Sequence, residues 1–433
     1  DVPRDFWTQV IDIDLPPIVR FERQGGGKDA VDSAAKLLSE AKFPVILSGA
    51  GVVIGDAIED CKKLAEKLDA PVCNGYQHND SFPGSHPLAV DPLGYNGSKA
   101  AMELISKADV VLALGTRLNP FSTLPGYGID YWPKDATIIQ VDMNSDRIGL
   151  TKKVTVGICG DAKMVAQQIL QKLSPNAGDN GREDRKNLIH QTKSAWLQTL
   201  TSLDHEDDDP GTVWNKEARE RDKDRMSPRQ AWRAIQAGLP EDVIISSDIG
   251  NNCAIGNAYP TFEKPRKYLA PGLFGPCGYG FPSILGAKIG CPDTPVIGFA
   301  GDGAFGISMN EMSSCAREEW PSITMVIFRN YQWGAEKRNS ILWFDDNFVG
   351  TELDPELSYA KVADACGLKG VTVKTMEETT KAIKQSCEDQ KKGITTFIEV
   401  ILNQELGEPF RRDAMKKPVE VAGINKKDMK PQL

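Results

Sequence analysis

The sequence lacks the features that mark membrane-spanning proteins, metal-thiolate proteins and nucleic-acid-binding proteins. No apolar run in its 433 residues approaches the roughly 20 residues that a membrane-spanning helix needs. Its four histidines and nine cysteines form no Cys-x-x-Cys pair and no mixed cluster at metal-ligand spacing. Its net charge of −9 has the wrong sign for a protein that binds DNA or RNA.

What the sequence does have is the composition of a large globular protein. Hydrophobic residues make up 40% of it, and its length accommodates two or three domains with substantial cores. Most cysteines lie in apolar surroundings, so we expect reduced core thiols and a cytoplasmic location. The chain begins at Asp1 within a segment rich in Pro, Asp and Gly. We therefore expect a fragment of a longer protein, in which residues 1–27 are a linker from an upstream domain.

Short apolar runs alternate with helical patterns in two parts of the chain, which predicts an α/β protein with two doubly wound parallel sheets. The predicted domains are a Rossmann-like domain over 28–177 and a second α/β domain over 227–401. A charged linker over 178–226 joins them, and a tail over 402–433 follows. Strands are predicted at 43–48, 71–74, 109–114, 137–141, 154–159, 243–246, 296–300, 323–328 and 395–400. Helices are predicted at 30–38, 54–68, 100–107, 162–172, 227–237, 308–318 and 359–366, and a loop at 332–340.

Gly49 and Gly51 follow the first predicted strand, as glycines do in a dinucleotide-binding turn. The fingerprint is incomplete, and the acidic residue at the expected distance, Asp69, lies at a helix end rather than after a second strand. We therefore favour a tight strand-to-helix turn and retain a bound flavin (FAD) or nucleotide as the alternative.

Two long loops, 76–80 and 119–127, combine polar and aromatic residues. They are interpreted either as facing a substrate or an adjacent subunit, or as ordinary structured surface loops. His78 alone does not indicate a metal.

The stretch 296–332 contains two apolar runs joined by a helical segment, the pattern of a βαβ unit with parallel strands. Asp302 follows the first run and Asn330 the second, so both are expected at the same edge of the sheet. A carboxylate oxygen and an amide oxygen there suit Mg²⁺, which takes its other ligands from phosphate and water. Gly301 and Gly303 would let the backbone turn sharply and approach a phosphate. The pattern predicts a metal-bridged diphosphate; the alternative is that Gly-Asp-Gly is an ordinary turn.

This layout, Gly-Asp-Gly followed after a spacer by Asn, resembles the cofactor motif of thiamine-diphosphate enzymes. The resemblance implies that Asp302, Asn330 and the backbone carbonyl of Gln332 hold Mg²⁺ on the diphosphate of thiamine diphosphate. In that family a second Asn or Asp often precedes the ligand Asn. This chain has Arg329 there, which places an unusual positive charge beside the site.

The same resemblance implies further contacts with the cofactor. The loop at Gly250, Asn251 and Asn252 would give backbone amides to the diphosphate. Gly275 would offer its carbonyl to the pyrimidine amine, and Cys277 would take the wedge position between the two rings, where the family places a bulkier apolar residue. The remaining residues implied as cofactor contacts are Gly301, Gly303, Ala304, Gly334 and Ala335.

A more specific similarity covers essentially the whole chain. The stretches 75–80, 94–99, 329–337 and 402–415 are similar to those of the sulfoacetaldehyde acetyltransferase family. This resemblance implies cleavage of sulfoacetaldehyde with phosphate to acetyl phosphate and sulfite, in taurine and sulfonate breakdown, by a homodimer or homotetramer with active sites at subunit interfaces. The alternatives are another acetolactate-synthase-like thiamine enzyme and a catalytically incomplete cofactor-binding fragment.

The activating glutamate of this family lies in a pyrimidine-binding domain to which no segment of this chain corresponds. No catalytic residue is therefore assigned, and we expect the chain to be inactive alone. Because sulfonate and phosphate are anions, cationic side chains are candidate binding residues, although each also fits a surface salt bridge. These candidates are Arg329, Lys337, Arg338, Arg411 and Arg412.

Overall fold

Two six-stranded sheets, in which all neighbouring strands are parallel, form the framework of the molecule. The computed structural model describes residues 1–19, 22–126, 128–203, 220–272, 274–344 and 347–405. The strands are β1 Pro44–Ser48, β2 Val72–Asn74, β3 Ala89–Pro92, β4 Val110–Leu114, β5 Thr137–Asp142, β6 Val156–Cys159, β7 Ile244–Ser247, β8 Tyr268–Leu269, β9 Val296–Gly301, β10 Thr324–Arg329, β11 Lys369–Val373 and β12 Thr396–Ile401. The predicted α/β class with two parallel sheets is confirmed.

Helices pack around both sheets. They are α1 Lys28–Glu40, α2 Ala50–Ile54, α3 Ile58–Leu68, α4 Lys99–Ile105, α5 Ala162–Lys172, α6 Arg182–Leu203, α7 Pro228–Gly238, α8 Asn251–Ile255, α9 Gly280–Gly290, α10 Asp302–Ser308, α11 Met312–Cys315, α12 Gly334–Trp343, α13 Tyr359–Ala365 and α14 Met376–Gln390. Short 3-10 helices occur at Arg4–Thr8, Asn79–Ser81, Pro120–Ser122, Ser145–Arg147, Gly256–Ala258 and Met309–Glu311. No helix within the described residues is both long and apolar enough to cross a membrane.

The first sheet has the order β3-β2-β1-β4-β5-β6, and the chain reverses direction across it between β1 and β4. Every residue of β1 and β4 is buried, as expected for central strands covered by helices on both faces. Gly51 donates its amide to the carbonyl of Gly115 at 2.8 Å, and a Cβ on Gly51 would lie 2.7 Å from the Gly115 Cα. The glycines after β1 thus permit contact between two backbone turns, the role that the sequence favoured.

The second sheet has the order β11-β12-β10-β9-β7-β8, with its reversal between β7 and β9. Phe328 in β10 pairs with Gly301 in β9, so both strands end at the same edge. The residues that follow these strands lie where open α/β sheets bind ligands.

Three local predictions are wrong. The helix predicted at 54–68 is interrupted between α2 and α3, where Asp56 adopts a left-handed conformation with φ 57°. The helix predicted at 308–318 instead begins at Asp302 as α10 and continues as short separate turns. The loop predicted at 332–340 is largely helix α12, whose polar residues give no apolar stripe to reveal it.

The charged segment predicted as a linker over 178–226 contains the long helix α6. Arg185 on that helix has a fully buried side chain that donates hydrogen bonds to five backbone carbonyls. The accepting carbonyls are those of Lys42, Leu68, Asp69, Gly178 and Asn180. Since three of these belong to the first domain, the beginning of the charged segment is fastened to that domain.

The loop 76–80 joins the two domains, so its interpretation as a surface loop is wrong. Asn79 donates hydrogen bonds from Nδ2 to the carbonyls of Asn257 and Pro260, at 3.0 and 2.8 Å. The Asp80 carboxylate accepts the amides of Lys267 and Tyr268 at 3.0 and 3.2 Å. Asn79 and Asp80 are both buried by these contacts.

Candidate active site

Three loops meet at the carboxyl edge of the second sheet because β7, β9 and β10 are neighbours. Each loop leads directly into the first turn of a helix, namely α8, α10 and α12. A Cβ on Gly334, the first residue of α12, would lie 3.1 Å from the Cβ of Asn251, the first residue of α8. The backbone amides of these helix starts therefore border one small region, an arrangement that favours a bound anion.

Asp302 lies at the centre of this region and is 1% exposed. Its Oδ2 accepts hydrogen bonds from Arg329 Nη1 at 3.0 Å and from the Tyr331 amide at 2.7 Å, and its Oδ1 accepts the Gly303 amide at 3.0 Å. Burial raises the pKa of Asp302 to about 6, although Arg329 acts in the opposite direction. Donors among the described residues fill three of the roughly four lone-pair positions of this carboxylate, and the position they leave free belongs to Oδ1.

Asn330 is next to the group that binds this carboxylate, because the Tyr331 amide is joined directly to the Asn330 carbonyl carbon. Asn330 is 1% exposed, and its side-chain oxygen has no hydrogen-bond partner among the described residues. Tyr331 has φ 62°, a left-handed conformation that is costly for a residue with a side chain. A buried amide oxygen without a donor, next to a turn that is costly to form, is a candidate ligand for a cation.

These oxygen atoms fit Mg²⁺. Asp302 offers one free carboxylate position and Asn330 an unpartnered amide oxygen, and the Gln332 backbone lies two residues further on. Within the described ranges no group of three or more His, Cys, Asp or Glu side chains could hold a metal ion. A cation here would therefore have one carboxylate and neutral oxygens from the protein, which suits Mg²⁺ completed by phosphate and water.

The backbone around these ligands leaves room for a phosphate group. At Gly250 and Gly301 a Cβ would meet no atom within 4 Å, and Gly250 has φ 128°. Both polar atoms of the Asn251 side chain, and the side-chain oxygen of Asn252, are buried without hydrogen-bond partners in the described part of the chain. Gly301 has φ −68°, which any residue adopts. A glycine at this position therefore matters for the open space that it leaves and not for a sharp turn.

Gly303 is required for a different reason. A Cβ there would lie 2.8 Å from the indole ring of Trp333, the residue that precedes α12. Ala304 is buried behind it, and Ala335 follows Gly334 in the first turn of α12. The Gly-Asp-Gly turn is thus packed directly against the start of α12.

Asp248, at the end of β7, is an organising residue that was not selected from the sequence. Its carboxylate accepts the amides of Ile249 at 2.7 Å, Gly278 at 3.1 Å and Gly280 at 2.6 Å. Burial raises its pKa. Asp248 therefore fixes the glycine-rich segment that contains Gly275 and Cys277 next to the loop after β7.

The predicted pyrimidine-side residues lie on that segment. Gly275 adopts φ 64°, and a Cβ on it would approach the Ile249 side chain at 3.3 Å. Cys277 is exposed. Their roles toward the two rings of the cofactor stay predictions.

The candidate anion-binding cations occupy different environments. Arg329 is buried in contact with Asp302 and Glu399, and Lys337 donates to Glu352 at 2.6 Å. Arg338 is 3% exposed and donates a hydrogen bond to the hydroxyl of Tyr95 in the first domain. Arg411 and Arg412 lie outside the described residues.

Comparison with known proteins defines the class first. Residues 31–172 match the model of the thiamine pyrophosphate enzyme central domain, and residues 248–400 match that of the C-terminal TPP binding domain. The crystal structure of benzoylformate decarboxylase from Polynucleobacter necessarius aligns with a TM-score of 0.69 and 20% identity, over 94% of this chain and 70% of that chain, a likeness of fold alone. The chain is a thiamine pyrophosphate enzyme in its fold and its cofactor domain.

The particular family follows from the sequence relatives. A probable sulfoacetaldehyde acetyltransferase of Rhizobium meliloti (strain 1021) is 79% identical over 432 residues, which are 100% of this chain and 73% of that protein. The sulfoacetaldehyde acetyltransferase of Roseovarius nubinhibens (strain ATCC BAA-591 / DSM 15170 / ISM) is 72% identical over 432 residues, 100% of this chain and 72% of that protein. The chain belongs to the sulfoacetaldehyde acetyltransferase family.

Proposed function

We propose that this chain carries the cofactor-binding part of an acetyltransferase that converts sulfoacetaldehyde and phosphate to acetyl phosphate and sulfite. The observations that carry the proposal are the buried Asn330 side-chain oxygen, which has no hydrogen-bond partner among the described residues, and the free position on Oδ1 of the Asp302 carboxylate. They support a diphosphate cofactor held through a divalent cation, in a family whose members are named sulfoacetaldehyde acetyltransferase.

When bound, thiamine diphosphate would supply the carbanion chemistry that cleavage of the carbon–sulfur bond requires. The protein supplies position and electrostatics. Asp302, Asn330 and the Gln332 carbonyl would hold Mg²⁺, while the open backbone at Gly250 and Gly301 would admit the diphosphate. Asp248 holds the glycine-rich segment against the loop after β7 through the amides of Gly278 and Gly280.

We propose Arg338 as the first cation to test for binding the sulfonate of the substrate or the acceptor phosphate. It lies one helical turn after Gly334, and its contact with Tyr95 places it where the first domain meets the cofactor domain. Arg329, in contact with Asp302 and Glu399, and Lys337, in contact with Glu352, are further candidates. Arg411 and Arg412 also remain candidates. Replacing either by Ala in the complete protein, with no change in the dependence of rate on phosphate, would remove it.

The activity is tested by incubating the complete coding product with thiamine diphosphate, Mg²⁺, sulfoacetaldehyde and phosphate. We expect sulfite and acetyl phosphate to appear in equal amounts and only when phosphate is present. Formation of acetolactate from pyruvate, without sulfite release from sulfoacetaldehyde, would assign the protein to the acetolactate-synthase-like alternative.

We also propose that the active enzyme is a homodimer or homotetramer in the cytoplasm. Large apolar side chains are exposed in residues 1–19, where Trp7, Val10 and Ile18 are 76, 97 and 93% exposed. This exposure supports contact of the segment with another protein surface. All nine cysteines are free thiols, consistent with a reducing compartment. Light scattering during size-exclusion chromatography tests the assembly, and a monomer with full activity would contradict it.

A further inference from the structure

Arg329 is a buried cation enclosed by described contacts on several sides. Besides Asp302, its guanidinium approaches the Glu399 carboxylate at 3.7 Å. It donates hydrogen bonds to the carbonyls of Leu357, at 2.9 Å, and Asp354. Its guanidinium carbon lies 4.2 Å from the centre of the Tyr331 ring. So many fixed contacts leave this side chain no freedom to follow a substrate.

The pairing of β10 with β12 explains why Glu399 lies near Arg329. Glu399 in β12 pairs in register with Ile327 in β10, two residues before Arg329, so both polar side chains project from the same face. Glu399 is 2% exposed and is itself held by the hydroxyls of Ser358, at 2.7 Å, and Thr372, at 3.3 Å. A charged residue in the middle of an otherwise buried strand is costly unless a partner offsets it.

The contacts of Arg329 bear directly on the geometry of Asp302. Arg329 and the Tyr331 amide both bind Oδ2, and the lone-pair position left free is on Oδ1. The carboxylate is therefore rotated so that one defined oxygen can reach a cation. At the same time, a fixed positive charge lies within hydrogen-bond distance of a metal ligand, where it repels a bare divalent cation.

We propose that Arg329, anchored by Glu399, is a positioning residue that orients Asp302 and makes binding of the divalent cation depend on a diphosphate bound with it. The diphosphate offsets the Arg329 charge, so cation and diphosphate bind as a coupled pair and the bare cation binds poorly. This inference rests on the proposed metal site, and it goes beyond that site by assigning the coupling to a residue that is not a ligand.

The test measures Mn²⁺ binding by electron paramagnetic resonance, with and without thiamine diphosphate, after subtraction of protein-free solutions. The charge-balanced variant Arg329→Gln with Glu399→Gln removes one positive and one negative charge. We expect this variant to bind Mn²⁺ alone about tenfold more tightly than the wild type does. The factor by which thiamine diphosphate increases the affinity for Mn²⁺ should be about tenfold smaller than in the wild type. The matched control is Arg317→Gln with Glu319→Gln, an exposed ion pair whose loss should change neither value.

A folded charge-balanced variant whose coupling equals that of the wild type would overturn the proposal. If that variant does not fold, the same measurements are made on Arg329→Lys, because this variant keeps the positive charge and loses the forked contacts of the guanidinium. We expect the Lys variant to retain the coupling while binding the metal–cofactor pair about tenfold less tightly; loss of the coupling would overturn the proposal. No sulfoacetaldehyde enters these measurements, so their failure is distinguishable from failure of the sulfite-release assay.

Discussion

Asp302, directly after β9, and Arg329, the last residue of the adjacent parallel strand β10, form a buried ion pair, with Oδ2 and Nη1 3.0 Å apart and both side chains 1% exposed. The pair leaves a position free on Oδ1 of the carboxylate, and the backbone amide of Tyr331, the residue after Asn330, binds Oδ2. This arrangement is the structural basis for the cofactor assignment.

Replacing Asp302 with Asn should weaken Mg²⁺-dependent binding of thiamine diphosphate by about 100-fold or more, because a neutral amide attracts the cation much less than a carboxylate does. It should also destabilise the fold by roughly 1–3 kcal/mol, since Arg329 loses one of its two charged partners. Calorimetric titration and urea unfolding measure the two effects. Asp146→Asn, at an exposed turn, is the control, and equal cofactor binding by both variants would contradict the assignment.

Replacing Asn330 with Ala should separate stability from function. The change removes a buried amide oxygen that has no donor among the described residues, which offsets the small void that it creates. We expect the free energy of unfolding without ligands to stay within about 1 kcal/mol of the wild-type value. The rise in midpoint that Mg²⁺ and thiamine diphosphate produce together should disappear. Asn347→Ala, at an exposed position, should keep that rise; an Asn330→Ala protein that also keeps it would exclude Asn330 as a ligand.

Two glycines of one motif should respond differently to the same substitution. Gly303→Ala places a Cβ 2.8 Å from the Trp333 ring, so it should destabilise the protein by roughly 1–3 kcal/mol. Gly301→Ala meets no atom within 4 Å and should leave stability within about 0.5 kcal/mol. If the open space at Gly301 receives the diphosphate, Gly301→Ala should nevertheless weaken cofactor binding. Thermal unfolding and calorimetric titration of both variants test this difference, and unimpaired binding by Gly301→Ala would show that the space serves another purpose.

His78 should make stability depend on pH below neutrality. Burial, assisted by the nearby Arg117 charge, lowers its pKa to about 4, against an ordinary value of 6.5. Because the folded state binds the proton less tightly, the stability that His78 contributes is fully present above pH 6.5 and is lost as the pH falls toward 4. We expect the wild type to lose about 2 kcal/mol more than His78→Gln between pH 7 and pH 5. Urea unfolding of both proteins at the two pH values measures this difference. An equal loss in the free energy of unfolding for both proteins would contradict the prediction.

Much of this site follows from the sequence because its central residues come directly after strongly apolar strands. The runs that became β9 and β10 are buried and parallel, so the positions of Asp302 and Asn330 at one edge follow from strand direction alone. The fold class follows in the same way from the alternation of strands and helices.

Contacts between residues that are far apart in sequence could not be predicted in that way. Glu399 is an isolated charge within an apolar strand, and its relation to Arg329 depends on the pairing of β10 with β12, which are far apart in sequence. Asp248 likewise acts through the amides of Gly278 and Gly280, about thirty residues later. The short β8 and the partly exposed β11 carry too weak an apolar pattern to be predicted as strands.

The most direct test of the account is an anomalous diffraction map of crystals grown with Mn²⁺ and thiamine diphosphate. The account predicts one strong peak about 2.1 Å from Asp302 Oδ1, the Asn330 side-chain oxygen and the Gln332 carbonyl oxygen. Full occupancy of the cofactor with no peak at these oxygens, or with the metal bound elsewhere, would contradict it.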